Sequence, residues 1–300
     1  MPLTRFICPD GETIELSDCL EKCRMAERCL TLPTLLTLVA GQREWNGTPS
    51  TTQLINGTML EYLKATESYS VDPRSRAFAL LGTAHHIKLA QPKGPWMAEL
   101  ALKSDEVTGI LDLLEPDPSK EGSFILTDYK TFGSYKVAKC LGSVGKKQNH
   151  PTDVYKRGGS WGAVGTPKQI TVFHKDPDRV EMVEEELQLN NYRVMLLDSV
   201  GLNVSSMRLQ VTVRDGGTIV AKERGVTETI YLIPVKRRND GEVRTYFADK
   251  ANRLCSAIND GVAPEPCNDF EAWAGRRCVD YCDVATFCPR GKREKFIAKE

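Results

Sequence analysis

The sequence contains no apolar run that approaches the ~20 residues that a membrane-spanning helix needs. Its first residues, MPLTRFIC, lack the apolar stretch of a secretory signal peptide. It also lacks any excess charge, because 40 basic side chains balance 40 acidic ones. These absences argue against a membrane partner and predict a cytoplasmic location, while the net charge alone gives no indication of a nucleic-acid partner.

The chain has 300 residues, of which 41% are hydrophobic, and this is enough for one sizeable core. We expect a single domain over 1–300. It comprises an N-terminal cysteine arm (1–30), a core (31–254), and a C-terminal cysteine arm with a basic tail (255–300). The order helix, hairpin, helix, strands predicts a mixed α/β fold with one main sheet.

Hydrophobic periodicity and turn residues predict the individual elements. Helices are expected at 31–44 and 57–66, from Asp72-Pro73 to about Leu89, and from Asp176-Pro177 to near Gly201. The last of these is expected to bury Val180, Val183, Leu187, Val194 and Leu197. Strands are expected at Val107–Glu115, Ser123–Thr131, Met207–Val213, Thr229–Val235 and Val243–Phe247.

The first two strands form an antiparallel hairpin that carries chemically informative side chains. Asp128 and Lys130 are two residues apart and therefore share a face. If the turn centres near Ser119, Asp112 falls close to cross-strand register with Asp128. Two unpaired carboxylates on an apolar sheet are costly, and a divalent cation removes that cost. Oxygen ligands suit Mg²⁺ or Mn²⁺, which activate water and polarise phosphate, and a neighbouring lysine stabilises negative charge.

His86 lies on the preceding helix, four residues after Gly82, which leaves space on the same helical face. An imidazole as third ligand favours Mn²⁺ over Mg²⁺. The ordered motifs are Gly-x3-His, Gly-x2-Asp, Asp-x-Lys and then Gln188-x3-Tyr192 on a later helix. They resemble those of the RecB-like branch of the PD-(D/E)XK nucleases, particularly the CRISPR-associated RecB-like exonucleases and the AddB-type nuclease domains.

This resemblance runs from about Cys19 to Cys288. It implies a restriction-endonuclease-like fold, a central mixed sheet flanked by helices, with metal-bound cysteine arms. It further implies metal ligation by His86, Asp112, Asp128 and the Tyr129 carbonyl, catalysis by Lys130, and support or DNA contact from Gln188 and Tyr192. Asp128 departs from the pattern, since many family members carry Glu there.

Eight of the ten cysteines fall into two sets with the same Cys-x10-Cys-x3-Cys-x5-Cys spacing. They are Cys8, Cys19, Cys23 and Cys29, then Cys267, Cys278, Cys282 and Cys288. Four thiolates bind Zn²⁺ or hold a 4Fe–4S cluster. In the resembling families one N-terminal cysteine joins three C-terminal ones, here matched by Cys278, Cys282 and Cys288, with Cys23 or Cys29 as the fourth. The repeat raises a second metal site, in which each quartet binds its own metal or the arms exchange ligands.

Residues 133–175 contain eight Lys or Arg residues, seven glycines and a single acid. We expect a long loop or lid beside Lys130. Cations interleaved with aromatics suit single-stranded nucleic acid, and Lys156, Arg157 and Trp161 are candidate contacts.

Taken together, the sequence predicts a Mg²⁺- or Mn²⁺-dependent DNA exonuclease that acts on single strands or frayed ends. The alternatives are a metal-stapled DNA-binding module and a restriction-type endonuclease. Oligomeric state, and partners in CRISPR adaptation, recombination or phage DNA processing, are left open.

Overall fold

The structure is a computed structural model that describes residues 3–25, 27–42, 45–160 and 162–298. Its N-terminal part is a small sheet of order β2-β1-β3, in which β1 pairs antiparallel with β2 and parallel with β3. The strands are β1 Leu3–Ile7, β2 Thr13–Glu15 and β3 Tyr69–Val71. Between β2 and β3 lie α1 Leu16–Glu21, α2 Leu32–Ala40, α3 Thr51–Ile55 and α4 Thr58–Thr66.

The predicted helix after Asp72-Pro73 begins with one 3-10 turn, Pro73–Arg76, and continues as α5 Ala77–Leu89. The Asp72 carboxylate accepts a hydrogen bond from the Arg74 N–H, as a capping residue does. None of the residues of α5 is fully buried. The predicted end at Leu89 is confirmed, and the helix lies on the protein surface.

The main sheet has five strands in the order β10-β9-β6-β5-β4, and it is mixed. Neighbouring strands run antiparallel except β6 and β9, which are parallel. The expectation of a mixed α/β fold is confirmed at this level. The strands are β4 Met97–Lys103, β5 Thr108–Pro116, β6 Ser123–Phe132, β9 Asn203–Val213 and β10 Ile230–Val235.

The expectation of a loop over 133–175 is wrong. Residues Ser134–Cys140 form α6, and β7 Ser143–Val154 pairs antiparallel with β8 Pro167–Lys175 in a separate two-stranded sheet. Both faces of β7 are largely exposed. The apolar/polar alternation that identifies a half-buried strand is therefore missing from the sequence.

Helix α7, Val183–Val200, follows a 3-10 turn at Pro177–Arg179 and crosses from β8 to β9. It ends at Gly201, whose φ of +72° is a left-handed conformation that suits glycine. Leu187 and Val194 are buried as expected. The prediction is wrong for Val180, Val183 and Leu197, which are 36–40% exposed, because the helix starts later and buries its Asn190–Leu196 face instead.

The predicted strand Val243–Phe247 is wrong. It lies inside α9, Asp240–Asp260, which follows the short α8 Ile219–Lys222 and β10. Asn239-Asp240-Gly241 resembles a hairpin turn in sequence. However, the Asn239 side chain accepts a hydrogen bond from the Glu242 N–H and caps the helix.

The chain ends with α10 Arg276–Asp280 and α11 Pro289–Ile297. One apolar cluster joins the N-terminal sheet, α4 and α9, and a second lies between the main sheet and α7. Within the described part of the chain, no helix has both the length and the apolar character needed to cross a bilayer.

Candidate active site

Four elements bring the predicted site residues together at the main sheet. His86 is in the last turn of α5, and Asp112 lies midway along β5. Asp128 and Lys130 lie on β6, the central strand. Gln188 and Tyr192 lie on α7 and are joined to these groups by hydrogen bonds described below.

The two aspartates are arranged by the β5–β6 hairpin. Leu113 pairs with Thr127, so the next position along both strands sets Asp112 opposite Asp128. The Tyr129 N–H donates a hydrogen bond to Asp112 Oδ2 at 2.6 Å. The register expected from the sequence is confirmed, and the Asp112 side chain occupies a backbone donor of the neighbouring strand.

Asp112 faces the imidazole of His86, with Oδ1 3.2 Å from Nδ1. This hydrogen bond raises the pKa of His86. His85, the neighbouring histidine, instead packs edge-on against the Tyr129 ring. The structure therefore agrees with the choice of His86 as the candidate ligand.

Glu99 completes a group that the sequence did not reveal. Its Oε1 lies 3.9 Å from His86 Nδ1, and one ligand atom from each of His86, Glu99 and Asp112 lies within 4.8 Å of the others. Burial, followed by the charge of Asp112, raises the pKa of Glu99. An imidazole and two carboxylates at this spacing match the ligands of a hard or borderline divalent cation.

Strand β4 positions Glu99 directly across from Asp112. Ala98 pairs with Leu113, and Leu100 pairs with Leu111. Glu99 lies between them with a φ of +49°, which is uncommon for a residue other than glycine. Strained backbone of this kind concentrates at functional sites, and the only signal in the sequence is one acid within a stretch of Ala, Leu and Met.

Asp128 is not part of the three-ligand group. Its Oδ2 lies 2.7 Å from Lys130 Nζ, and Lys130 donates to Gln188 Oε1 at 3.0 Å. Gln188 Nε2 in turn donates to Asp128 Oδ1 at 3.1 Å and to the Tyr192 hydroxyl at 3.3 Å. The amide of Gln188 thus bridges the acid and the base, which is a specific role for the Gln-x3-Tyr motif.

Electrostatics in this network are governed by burial, since Asp128 is only 2% exposed. Burial raises the pKa of Asp128 to about 6, against the opposing influence of Lys130. Burial works against the protonated form of Lys130, yet the Asp128 charge outweighs it and raises the pKa of that lysine. The ammonium group is therefore held charged beside the group of three ligands.

Gly109, the glycine of the Gly-x2-Asp motif, makes room for Tyr192. A Cβ at this position would lie 2.6 Å from Tyr192 Cε1 and 3.1 Å from Thr51 Oγ1. The motif therefore couples the start of β5 to the α7 residue that supports Gln188.

The basic segment contributes a projecting hairpin. Lys156 and Arg157 are exposed near its tip, and Trp161 lies outside the described residues. Lys146 and Lys147 on β7 are also exposed. Two other lysines of the segment, Lys136 and Lys139 on α6, pair with the α7-side acids Glu185 and Glu181 and carry less free charge.

The C-terminal cysteines line one cavity of about 20 Å³, together with Leu60 and Leu63 of α4. The four are Cys267, Cys278, Cys282 and Cys288. Gly57 leaves room for the Cys267 thiol, because a Cβ at Gly57 would lie 2.2 Å from its Sγ. No N-terminal cysteine lines this cavity, so the fourth cysteine is Cys267 rather than Cys23 or Cys29.

The N-terminal quartet lies in the β1–β2–α1 region. Cys8 and Cys19 are buried, and Cys23 and Cys29 are partly exposed. Among the described residues, no three cysteine thiols of either quartet lie within 4.8 Å of one another.

Comparison with known proteins adds little. No family model matches the chain, and no curated protein matches it. A solved structure titled "Crystal structure of SSO0001" is similar at 12% identity and a TM-score of 0.40, covering 86% of this chain and 92% of that one. A likeness at this level does not bear on the activity.

Proposed function

We propose that this chain is a Mg²⁺- or Mn²⁺-dependent deoxyribonuclease with a restriction-endonuclease-like core. The observation that carries the proposal is the meeting of His86, Glu99 and Asp112 beside Lys130, from α5 and three adjacent strands. Structural ion pairs seldom gather an imidazole, two carboxylates and a buried ammonium at one place on an otherwise apolar sheet.

A bound divalent cation would polarise the phosphate and make water a nucleophile at neutral pH. His86, Glu99 and Asp112 would hold the ion, and participation of Asp128 and the Tyr129 carbonyl stays a prediction. Lys130 carries a positive charge at a fixed position and would stabilise the charge that develops on the phosphate oxygens. Gln188 keeps the lysine oriented, and Tyr192 supports Gln188.

The proposed substrate is DNA with a single-stranded or frayed end, cut exonucleolytically. The exposed lysines of the β7–β8 hairpin support this, because free cations attract the phosphate backbone without base specificity. The chain would act in the cytoplasm, where its thiols remain reduced.

The C-terminal quartet is proposed to hold a 4Fe–4S cluster, with Zn²⁺ as the alternative. Its four thiols already face one cavity, and Gly57 is needed to admit one of them. Zinc at ~2.3 Å from each sulfur would require sulfurs about 3.8 Å apart, so they would have to move closer. Either group would staple the C-terminal arm to α4.

The test is degradation of end-labelled linear single-stranded DNA with Mn²⁺, Mg²⁺ or chelator, on protein purified without oxygen. We expect activity only with metal, and losses of about 100-fold or more in Asp112→Ala and Lys130→Ala. Glu99→Gln should raise the metal concentration needed for half-maximal activity by about tenfold or more. Glu106→Gln, an exposed acid in the β4–β5 turn, is the matched control.

Circular single-stranded DNA separates the modes of action, since an exonuclease requires an end and an endonuclease does not. Salt-sensitive DNA binding with no cleavage under any metal condition would identify a binding module instead. Full activity in both the Asp112→Ala and the Lys130→Ala variant would refute the proposal.

A further inference from the structure

The N-terminal cysteines are presented by a compact turn and helix. Cys8 follows β1 directly, its N–H donates to the Glu12 carbonyl, and the Gly11 N–H donates back to the Cys8 carbonyl. Gly11 has a φ of +88°, which lets the chain reverse at this point. Cys19 lies in α1, and Cys23 follows one helical turn later, just past the end of the helix.

These four thiols are close in space as well as in sequence. Burial raises the pKa of the Cys19 thiol, and the charges of Cys29, Cys8 and Cys23 raise it further. The Arg28 guanidinium donates to the carbonyls of Cys19, Leu20 and Glu21 and so ties the Cys29 loop to the end of α1.

The two quartets are separate from each other. The thiols that act on Cys19 are all N-terminal, and those that act on Cys267, Cys278 and Cys282 are all C-terminal. The C-terminal cavity has four cysteines of its own. Four thiolates complete a tetrahedral site, so that cavity needs no N-terminal ligand.

The local elements are too short to be stable by themselves. Strand β2 has three residues, and α1 has six residues and no side-chain cap. Helices of this length are marginal in water, and small units with little apolar core are commonly stabilised by a structural metal. The partly exposed thiols of Cys23 and Cys29 leave a path for a metal to enter.

We propose that Cys8, Cys19, Cys23 and Cys29 bind a thiophilic metal of their own, as a second tetrathiolate centre independent of the C-terminal quartet. The metal fastens the β1–β2 turn to α1 and the following loop. The centre is structural and does not depend on the proposed nuclease activity.

The experiment is metal analysis of the full-length chain purified without oxygen, with zinc, iron and acid-labile sulfide measured per chain. A Cys23→Ser/Cys29→Ser variant should lose either one zinc or one cluster's worth of iron and sulfide, and retain the remaining metal. A Cys278→Ser/Cys282→Ser variant should lose the complementary metal. Cys255→Ser, which is partly exposed and belongs to neither quartet, should lose none.

Two further readouts cover a variant that folds poorly. Cys29→His should retain the metal that Cys29→Ser loses, because imidazole replaces thiolate in such sites. Apo protein refilled with Co²⁺ should show thiolate-to-metal absorption that falls by about half in each double variant. Unchanged metal content in Cys23→Ser/Cys29→Ser, or loss of the same metal in both double variants, would overturn the proposal.

Discussion

Replacement of Lys130 by Met would expose how strongly the site opposes folding. The substitution removes the cation 2.7 Å from Asp128 Oδ2 but preserves the length of the side chain. Asp128 is 2% exposed and keeps only the Gln188 amide as a polar partner. A buried carboxylate that loses its ionic partner destabilises a protein by about 3–5 kcal/mol, which is a shift in Tm on the order of 10 °C here.

The loss should depend on pH. The pKa of Asp128 in the folded chain is about 6, above its ordinary value of 3.8. The folded state therefore holds this proton more tightly than the unfolded state, and stability falls as pH rises between these values. Without Lys130 the pKa of Asp128 rises further, so the Lys130→Met variant should be nearly as stable as the parent at pH 5 and much less stable at pH 8.

The assay is urea denaturation in chelator at both pH values, with far-UV circular dichroism as the probe. An Asp128→Leu/Lys130→Met double variant serves as the control. It removes both charges and should recover most of the lost stability, while remaining inactive. Equal stability of the parent and Lys130→Met at pH 8, or no recovery in the double variant, would refute the reasoning.

Three further predictions concern the surroundings of the site. Gly109→Ala should lower stability by about 1–3 kcal/mol in denaturant titration and reduce activity, because its Cβ would lie 2.6 Å from Tyr192. Asn239→Ala should cost about 1 kcal/mol by the same measurement, through loss of the α9 cap, with no effect on activity. Lys146→Glu/Lys147→Glu should weaken DNA binding and flatten its dependence on salt, measured by fluorescence anisotropy.

Each of these predictions has a matched control. Gly41→Ala has an ordinary φ and nothing closer than 3.4 Å to its Cβ, so it should leave stability unchanged. Lys120→Glu/Lys292→Glu makes the same charge change on exposed lysines elsewhere and should preserve more of the DNA binding. Equal effects in variant and control would contradict the assigned contacts.

The sequence predicts the β5–β6 hairpin well because its signals are local. Apolar runs flank a turn rich in Pro, Asp, Ser and Gly, and the strand period then fixes which side chains share a face. The register that sets Asp112 opposite Asp128 follows from the turn centre alone.

Glu99 could not be found in the same way. Strand β4 reads Met-Ala-Glu-Leu-Ala-Leu-Lys, which is composed of helix-favouring residues and becomes a strand only by pairing with β5. The error at Val243–Phe247 has a related origin, because Asn-Asp-Gly suits both a hairpin turn and a helix start. Which one forms depends on the Val243 and Phe247 side chains, which are buried in the core.

Asp283 links the two ends of the molecule's chemistry. It follows Cys282 directly, and its Oδ2 lies 2.5 Å from the Arg76 guanidinium at the start of α5 and 3.6 Å from Lys64 Nζ. With no fully buried residue of its own, α5 depends on such external ties. A change at the Cys282 loop, such as thiol oxidation, would therefore release the forward end of the helix that carries His86 and register some 20 Å of sequence-distant chemistry as a loss of imidazole alignment, the distance being the approximate length of a 13-residue helix.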